Sequence, residues 1–315
     1  MHPQVSVIIP MRNAERFIGE TLDSILCETR AAIEVIVVDD RSSDGSVKTV
    51  LSRADSRVRL VPGPGEGISA ALNAGLEAAQ GSVIMRCDAD DIYSRGRIRR
   101  QLEWLDAHPD YGSVCGGFWV VDVRGRSITE LPTGHRPMDI TQELLRGHTR
   151  THLGTFAIRA EVARQVAGFR PFFVTAEDID FELRLAEKAL VMYLPEPLYG
   201  YRLHGDSITH SQNRGARLYY KRCAISFQKQ RHSCGRDDLE SGCEPPALTE
   251  SEAADGAEDH ILSLLTGAAW AAHAEGKKLR AIRVALRALR YERFSYRVWR
   301  NLAVLALKPA RFVTS

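Results

Sequence analysis

The sequence predicts an α/β protein: a mostly parallel sheet with helices on both faces, followed by a C-terminal α-helical extension. Three observations carry that prediction. Short runs rich in Val and Ile, such as residues 5–10 (V-S-V-I-I-P) and 33–39 (I-E-V-I-V-V-D), show little polar alternation, which is how strands covered on both faces read. Between these runs the apolar residues fall at helical spacing, so strand, helix and strand make a βαβ unit, right-handed by default. Residues 259–307 repeat Leu and Ala at helical spacing among many arginines.

Taken in order, residues 14–27 place Phe17, Ile18, Leu22, Ile25 and Leu26 on one face of a crossover helix. Asp44 is expected to cap the next helix, to about residue 54, and 58–61 is a third strand. Gly63-Pro64-Gly65-Glu66-Gly67 is a loop, 68–80 a helix, and a central strand starts at Val83. A doubly wound half of this kind opens its ligand crevice at the carboxyl ends of the strands. Further on, 97–108 reads as a helix, 113–122 and 127–131 as a hairpin about Gly125, and 151–159 as a strand. Helices are expected over 161–167, ended by Gly168, and over 178–188. Residues 190–194 and 198–203 return as two strands, and a helix runs from 214 to about 232. Residues 233–257, polar with Gly and Pro-Pro, read as a linker or mobile loop. Three amphipathic helical segments follow, with breaks near Gly276 and 290–295. The expected organisation is an α/β domain over 1–213, a helix and flexible linker over 214–257, and a basic helical extension over 258–315.

A chain of 315 residues that is 44% apolar and 26% charged can bury a sizeable core. Its net charge of +2 says little, but the charge is unevenly spread. Residues 276–315 hold eleven Lys and Arg against Glu292 alone, so a mildly acidic body carries a basic tail. No apolar run reaches the length of a membrane span, and the first residues show no signal-peptide pattern. The chain therefore reads as cytoplasmic, with peripheral attachment to the inner face of the cell membrane open to it. Its six cysteines form no C-x-x-C, which argues against a zinc site, a trio of His232, Cys234 and Cys243 included.

The central strand is the informative one. Residues 83–92 read V-I-M-R-C-D-A-D-D-I, a buried strand that runs into three carboxylates. Unpaired carboxylates are costly to bury, so such a strand end needs a reason. Side chains at i and i+2 on extended backbone share a side, so Asp88 and Asp90 can face one ligand. Two convergent carboxylates suit a hard divalent cation that keeps open positions for phosphate oxygens. The plainer reading is a solvated acidic loop, with Asp91 as the N-cap of the next helix.

Further motifs accompany it in order: V-S-V-I-I-P-x-x-N, E-V-I-V-V-D-D-x-S-x-D-G-S, G-I-S-A-A-L-N-A-G, Arg97 with Gln101, A-E-D-I-D-F-E-L-R-L and Y-R-L-H-G-D-S-I-T. Together they resemble the family 2 inverting glycosyltransferases, which have the GT-A fold, a Rossmann-like nucleotide-binding sheet. The likeness covers roughly residues 5–209, and Leu72 and Cys87 are its small departures.

The resemblance implies a metal-dependent transfer of a sugar from a nucleotide-sugar, taken as a UDP-sugar, to a hydroxyl acceptor. Asp40 resembles the aspartate that bonds uracil, its plainer role being, with Asp39, to cap the turn at 42–44. Asp88 would meet ribose or the metal's water, and Asp90 the metal, Mn²⁺ or Mg²⁺; His204 resembles a histidine near metal and diphosphate. Asp178 is the implied general base, beside Glu177 on the acceptor side, and His152 is a second acceptor-side candidate. Pro10, Asn13, Asn73, Arg86 and Arg202 complete the expected donor contacts, although Asn13 and Asn73 also suit turn chemistry. Partners so implied are a nucleotide-sugar donor and a glycan or lipid-linked acceptor. The basic helices by their own pattern are expected to pack their apolar stripe (Leu279, Ile282, Ala285, Leu286, Leu289) inward and leave a basic face free to meet an anionic membrane. A dinucleotide-binding oxidoreductase shares the sheet pattern but needs a G-x-G-x-x-G that the first turn, P-M-R-N-A-E, lacks. A nucleic-acid binder working through the basic tail would need a binding motif, and none accompanies it.

Overall fold

The computed structural model describes residues 2–131, 134–204, 214–243, 245, 258–289 and 291–309. They form two compact units. The first comprises residues 1–118, 133–202 and 220–246, and the second 119–132, 203–219 and 247–315.

In the first unit, β1 (Val5–Met11), β2 (Ile33–Asp39), β3 (Val58–Pro62) and β4 (Val83–Arg86) are parallel, in the order β3-β2-β1-β4. All of β4 and nearly all of β1 and β2 are buried, as their unbroken apolar runs require. Helices α1 (Ile18–Leu26), α2 (Ser46–Ser52) and α3 (Ile68–Ala78) are the crossovers. Asp44 accepts the N–H of Ser46 at 3.0 Å and so satisfies a donor at the start of α2. Gly75 lets α3 lie close on the sheet, for a Cβ there would stand 2.3 Å from Ile8. Beyond β4 the sheet turns antiparallel, through β9 (Ala157–Arg159), β6 (Tyr111–Val121), β10 (Leu190–Arg202) and β5 (Ile92–Tyr93). A short β8 (Met138–Asp139) pairs with β10. The remaining helices of this part are α4 (Arg97–Ala107), α5 (Thr141–Leu145), α6 (Ala160–Gln165), α7 (Glu177–Ala186) and, from residue 220 on, α8 (Arg214–Cys234).

Four expectations change here. Residues 151–159 are not one strand, because the His152 imidazole and carbonyl accept the N–H groups of Gly154 and Thr155 and close a 3₁₀ turn, Leu153–Thr155, before β9. Residues 190–203 are not two strands. They form one strand, β10, in which Pro195 and Pro197 fall between the stretches that pair with β8 and β5. Residues 233–243 are not a mobile loop, since α8 runs to Cys234 and the turn after it buries Asp237. Asp237 pairs with Arg170 and Arg231, and Arg170 with Asp180 of α7. The part of the expected linker at 246–257 lies outside the described residues. Asp91 does not cap a helix, for β5 follows it and its side chain is buried.

In the second unit, residues Trp119–Val121 pair with β7 (Ser127–Glu130) about a turn that the Asp122 carboxylate holds through the N–H groups of Arg124 and Arg126. This is the expected hairpin. The three expected helices are α9 (Glu258–Ala274), α10 (Lys278–Ala288) and α11 (Tyr296–Leu307). The buried side of α10 differs from the expected one: Ala281, Val284, Ala285 and Ala288 turn inward, while Leu279 and Leu286 are exposed. Among the described residues no helix is long and apolar enough to cross a membrane.

Candidate active site

The carboxyl ends of β1, β2 and β4 hold half of the expected site residues. Half-buried Pro10 pairs with Val38 near the end of β1. Asp40 follows β2, and each of its oxygens accepts a backbone N–H, from Gly65 at 2.6 Å and from Gly67 at 3.0 Å. Both glycines have positive φ, which explains their place in the loop after β3: they wrap backbone around a carboxylate. Asp39 caps the turn through the Ser42 N–H, whereas Asp40 does not. Asn13 also has positive φ, and its amide oxygen accepts from Ser43. Asn73 uses both ends of its amide on the Phe169 backbone, which ties α3 to the segment after α6. These two asparagines hold loops in this structure.

The acidic loop after β4 is fixed along its length. The Asp88 N–H donates to the Tyr199 hydroxyl at 3.1 Å, and the Ala89 carbonyl accepts from Thr21 at 3.0 Å. The Asp90 carbonyl accepts from Arg202, whose own N–H donates to Asp91 at 2.8 Å. Arg202 is fully buried and reaches Glu20 of α1 at 2.8 Å, so its guanidinium holds the loop's backbone. Tyr93 donates to the Arg86 carbonyl at 2.8 Å and closes the base of the loop. None of Thr21, Glu20, Tyr93 or Tyr199 carries a sequence signal for this role. Only the fold brings them here.

Electrostatics join the acidic loop to α7. Arg86 donates to Asp88 at 2.8 Å and to Glu177 at 3.0 Å. Burial disfavours its charge, but Asp88, Glu177 and Asp178 outweigh this and raise its pKa. Glu177 and Asp178 open α7, whose N-terminus favours negative charge, and both are buried. Ala176, just before them, has φ +59, a strained conformation for a residue other than glycine. Burial, then Asp90 and Asp88, push the Asp91 carboxyl well above the usual range. Burial, then Asp88 and Asp91, push the Tyr199 phenol up as well, so it stays protonated. Of the other expected residues, His152 stacks on Tyr199 with centroids 5.3 Å apart, and His204 is buried and falls in the second unit.

Asp88 and Asp90 are partly exposed hard donors whose own charge helps to raise the pKa of the buried Asp91, a crowding that a divalent cation would relieve. Among the described residues no three His, Cys, Asp or Glu side chains converge as a ready metal cage. A cation here would complete its shell with phosphate oxygens and water, as Mg²⁺ commonly does. The donor set fits such a group.

Comparison with known proteins identifies the family and the fold. The family model for Glycosyl transferase family 2 matches residues 6–167. The chain is 34% identical over 236 residues to the glycosyltransferase-family protein EpsE of Bacillus subtilis (strain 168), spanning 70% of this chain and 82% of EpsE. It is 32% identical to the glycosyltransferase EpsJ of the same strain, over 66% of this chain and 64% of EpsJ. TuaG, also of that strain and named for teichuronic acid biosynthesis, is 29% identical over 68% of this chain and 85% of its own. Among solved structures, S. aureus TarS 1–349 in complex with UDP-GlcNAc superposes with a TM-score of 0.62 at 17% identity, covering 96% of this chain and 90% of that one. The mannosyltransferase PcManGT of Pyrobaculum calidifontis, with GDP-Man and Mn²⁺, gives 0.52 at 21% identity, covering 98% and 87%. The sheet with its flanking helices is the GT-A fold, and the chain belongs to glycosyl transferase family 2.

Proposed function

We propose that the protein is a metal-dependent inverting glycosyltransferase that moves a hexose from a UDP-sugar to a hydroxyl acceptor. The observation that carries this reading is the Arg86 bridge, which sets the donor-side Asp88 and the α7 carboxylates Glu177 and Asp178 around one guanidinium. A transferase needs those two sides together, because donor and acceptor meet in line at one carbon.

Asp178 takes the proton from the acceptor hydroxyl as that oxygen attacks the anomeric carbon. The bond from that carbon to the diphosphate oxygen breaks in the same displacement, and the nucleoside diphosphate leaves with the bonding pair. One displacement inverts the anomeric centre. Asp90, with Asp88 beside it, would hold Mn²⁺ or Mg²⁺, which supplies Lewis-acid stabilisation to the departing diphosphate when bound. Asp40 orients the base, and Pro10 and Asn13 border the nucleotide. Glu177, held by Arg86, shapes the acceptor side with His152. The UDP-GlcNAc in TarS supports a UDP-sugar, and the Mn²⁺ in PcManGT supports the metal. The name of TuaG supports a role in cell-surface polymer assembly. A glycan or lipid-linked acceptor follows, and peripheral attachment at the inner membrane face suits the second.

Calorimetric titration of UDP, GDP and NAD, with and without Mn²⁺, tests the reading on wild type and Asp90→Ala. UDP binding that needs Mn²⁺ and is lost in the variant is the expected result. Metal-independent binding, or a preference for NAD, would overturn it.

A further inference from the structure

The C-terminal helices carry a surface that the active site does not use. Of the thirteen large apolar side chains exposed among the described residues, seven fall within residues 279–307. Large apolar patches on a folded surface are uncommon and mark interaction sites. On α11, Tyr296, Trp299, Ala303 and Leu307 repeat at helical spacing and are all exposed, while Val298 and Leu305 face the other way and are buried. Tyr296 is 79% exposed, Leu307 84%, and Phe294, just before the helix, 84%. On α10, Leu279 and Leu286 lie a heptad apart on the exposed side, with exposed Arg283 between them.

The charges around this surface decide what covers it. Arg293, Arg297, Arg300 and Lys308 are exposed among the apolar residues, and Glu292 is the single acid in residues 276–315. A second copy of the chain offering the same face would set arginine against arginine. An anionic lipid surface meets both halves of the pattern. Its headgroups attract Lys and Arg, and its acyl boundary takes Trp, Tyr, Phe and Leu from a helix lying in the plane.

We infer that α10 and α11 form a docking face for an anionic membrane, with Phe294, Tyr296, Trp299 and Leu307 entering the acyl boundary and Arg293, Arg297 and Arg300 at the headgroups. This rests on the peripheral attachment proposed above and deepens it: the apolar residues of these helices are part of the face, not only its arginines. It places an acceptor carried on a lipid within reach of a protein that has no spanning helix among its described residues.

The test is co-sedimentation of the full chain with vesicles of phosphatidylcholine alone or mixed with phosphatidylglycerol. Wild type should pellet with the mixed vesicles and be released by salt. Arg293→Glu/Arg297→Glu/Arg300→Glu should weaken binding by about tenfold or more, as loss of three surface cations predicts. Phe294→Ser/Trp299→Ser/Leu307→Ser should do the same without changing Mn²⁺-dependent UDP binding, which reports the fold and the donor site. Binding to neutral vesicles as tight as to anionic ones would overturn the inference. So would an oligomer in solution that the serine variant dissociates, because the face would then belong to a second copy. If UDP fails to bind the wild type while the vesicle result holds, the donor reading falls and the membrane face stands.

Discussion

Arg86 and Asp178 divide the work at the site. Arg86 is buried with Glu177, and removing one partner of a buried ion pair leaves the other uncompensated. Arg86→Met should therefore destabilise the protein by about 3–5 kcal/mol in urea unfolding. Arg86→Lys should recover only part of this, because one ammonium cannot reproduce the fork that meets two carboxylates. A loss below about 1 kcal/mol, the range of a surface pair, would mean that the bridge does not form in solution. Asp178 serves chemistry more than stability in the proposed reaction. Asp178→Asn should lower kcat by about 10²–10⁴-fold, the usual worth of a general base, and leave donor binding within about twofold. Steady-state rates beside calorimetry separate the two effects, and an unchanged kcat would move the base elsewhere. At this scale the sequence named Asp40, Asp88, Asp90 and Asp178 by motif. It gave no hint of Thr21, Tyr93 or Tyr199, since a lone Thr or Tyr looks alike in any helix or strand.

Among the elements, α7 is held by a network of ion pairs. Its strained entry at Ala176 sets Glu177 and Asp178, and Asp180, two residues on, pairs with Arg170 and Arg184. Arg170 also meets Asp237 in the turn after α8, and Arg231 of α8 joins Asp237 to Glu187. Below these charges, Phe173, Ile179, Leu183, Ala224 and Phe227 form a shared apolar core. Burial pushes the Asp237 pKa up, but the Glu240 N–H and the arginines outweigh it and hold it below the usual range. A carboxylate of lowered pKa binds fewer protons folded than unfolded. Its stabilisation is present above about pH 4 and is lost as pH falls through the folded value. Asp237→Asn should thus unfold at lower urea at pH 7 and show a flatter acid limb between about pH 5 and pH 3 than wild type. Equal slopes for both proteins would show that the pairs with Asp237 contribute nothing net. The sequence reads 233–243 as loop because its Gly, Ser and Asp suit loops, and composition cannot reveal that an arginine sixty-odd residues earlier pairs with one of those acids.

For the whole molecule, the sequence by itself determined the doubly wound half, the hairpin and the three C-terminal helices. It did so because each rests on local periodicity: unbroken apolar runs for strands buried on both faces, 3.6-residue spacing for helices, and turn residues between them. It also determined the family, because the acidic loop and the A-E-D-I-D segment are contiguous motifs. Tertiary structure decided what depends on residues distant in the chain. It alone brought Arg86 to Glu177, 91 positions away, and Arg202 to Asp91, 111 positions away. It also decided that α10 buries its alanines and turns its leucines outward. Periodicity shows that a helix has faces. Which face is covered depends on the shape of what packs against it, and small side chains allow a close approach that large ones prevent.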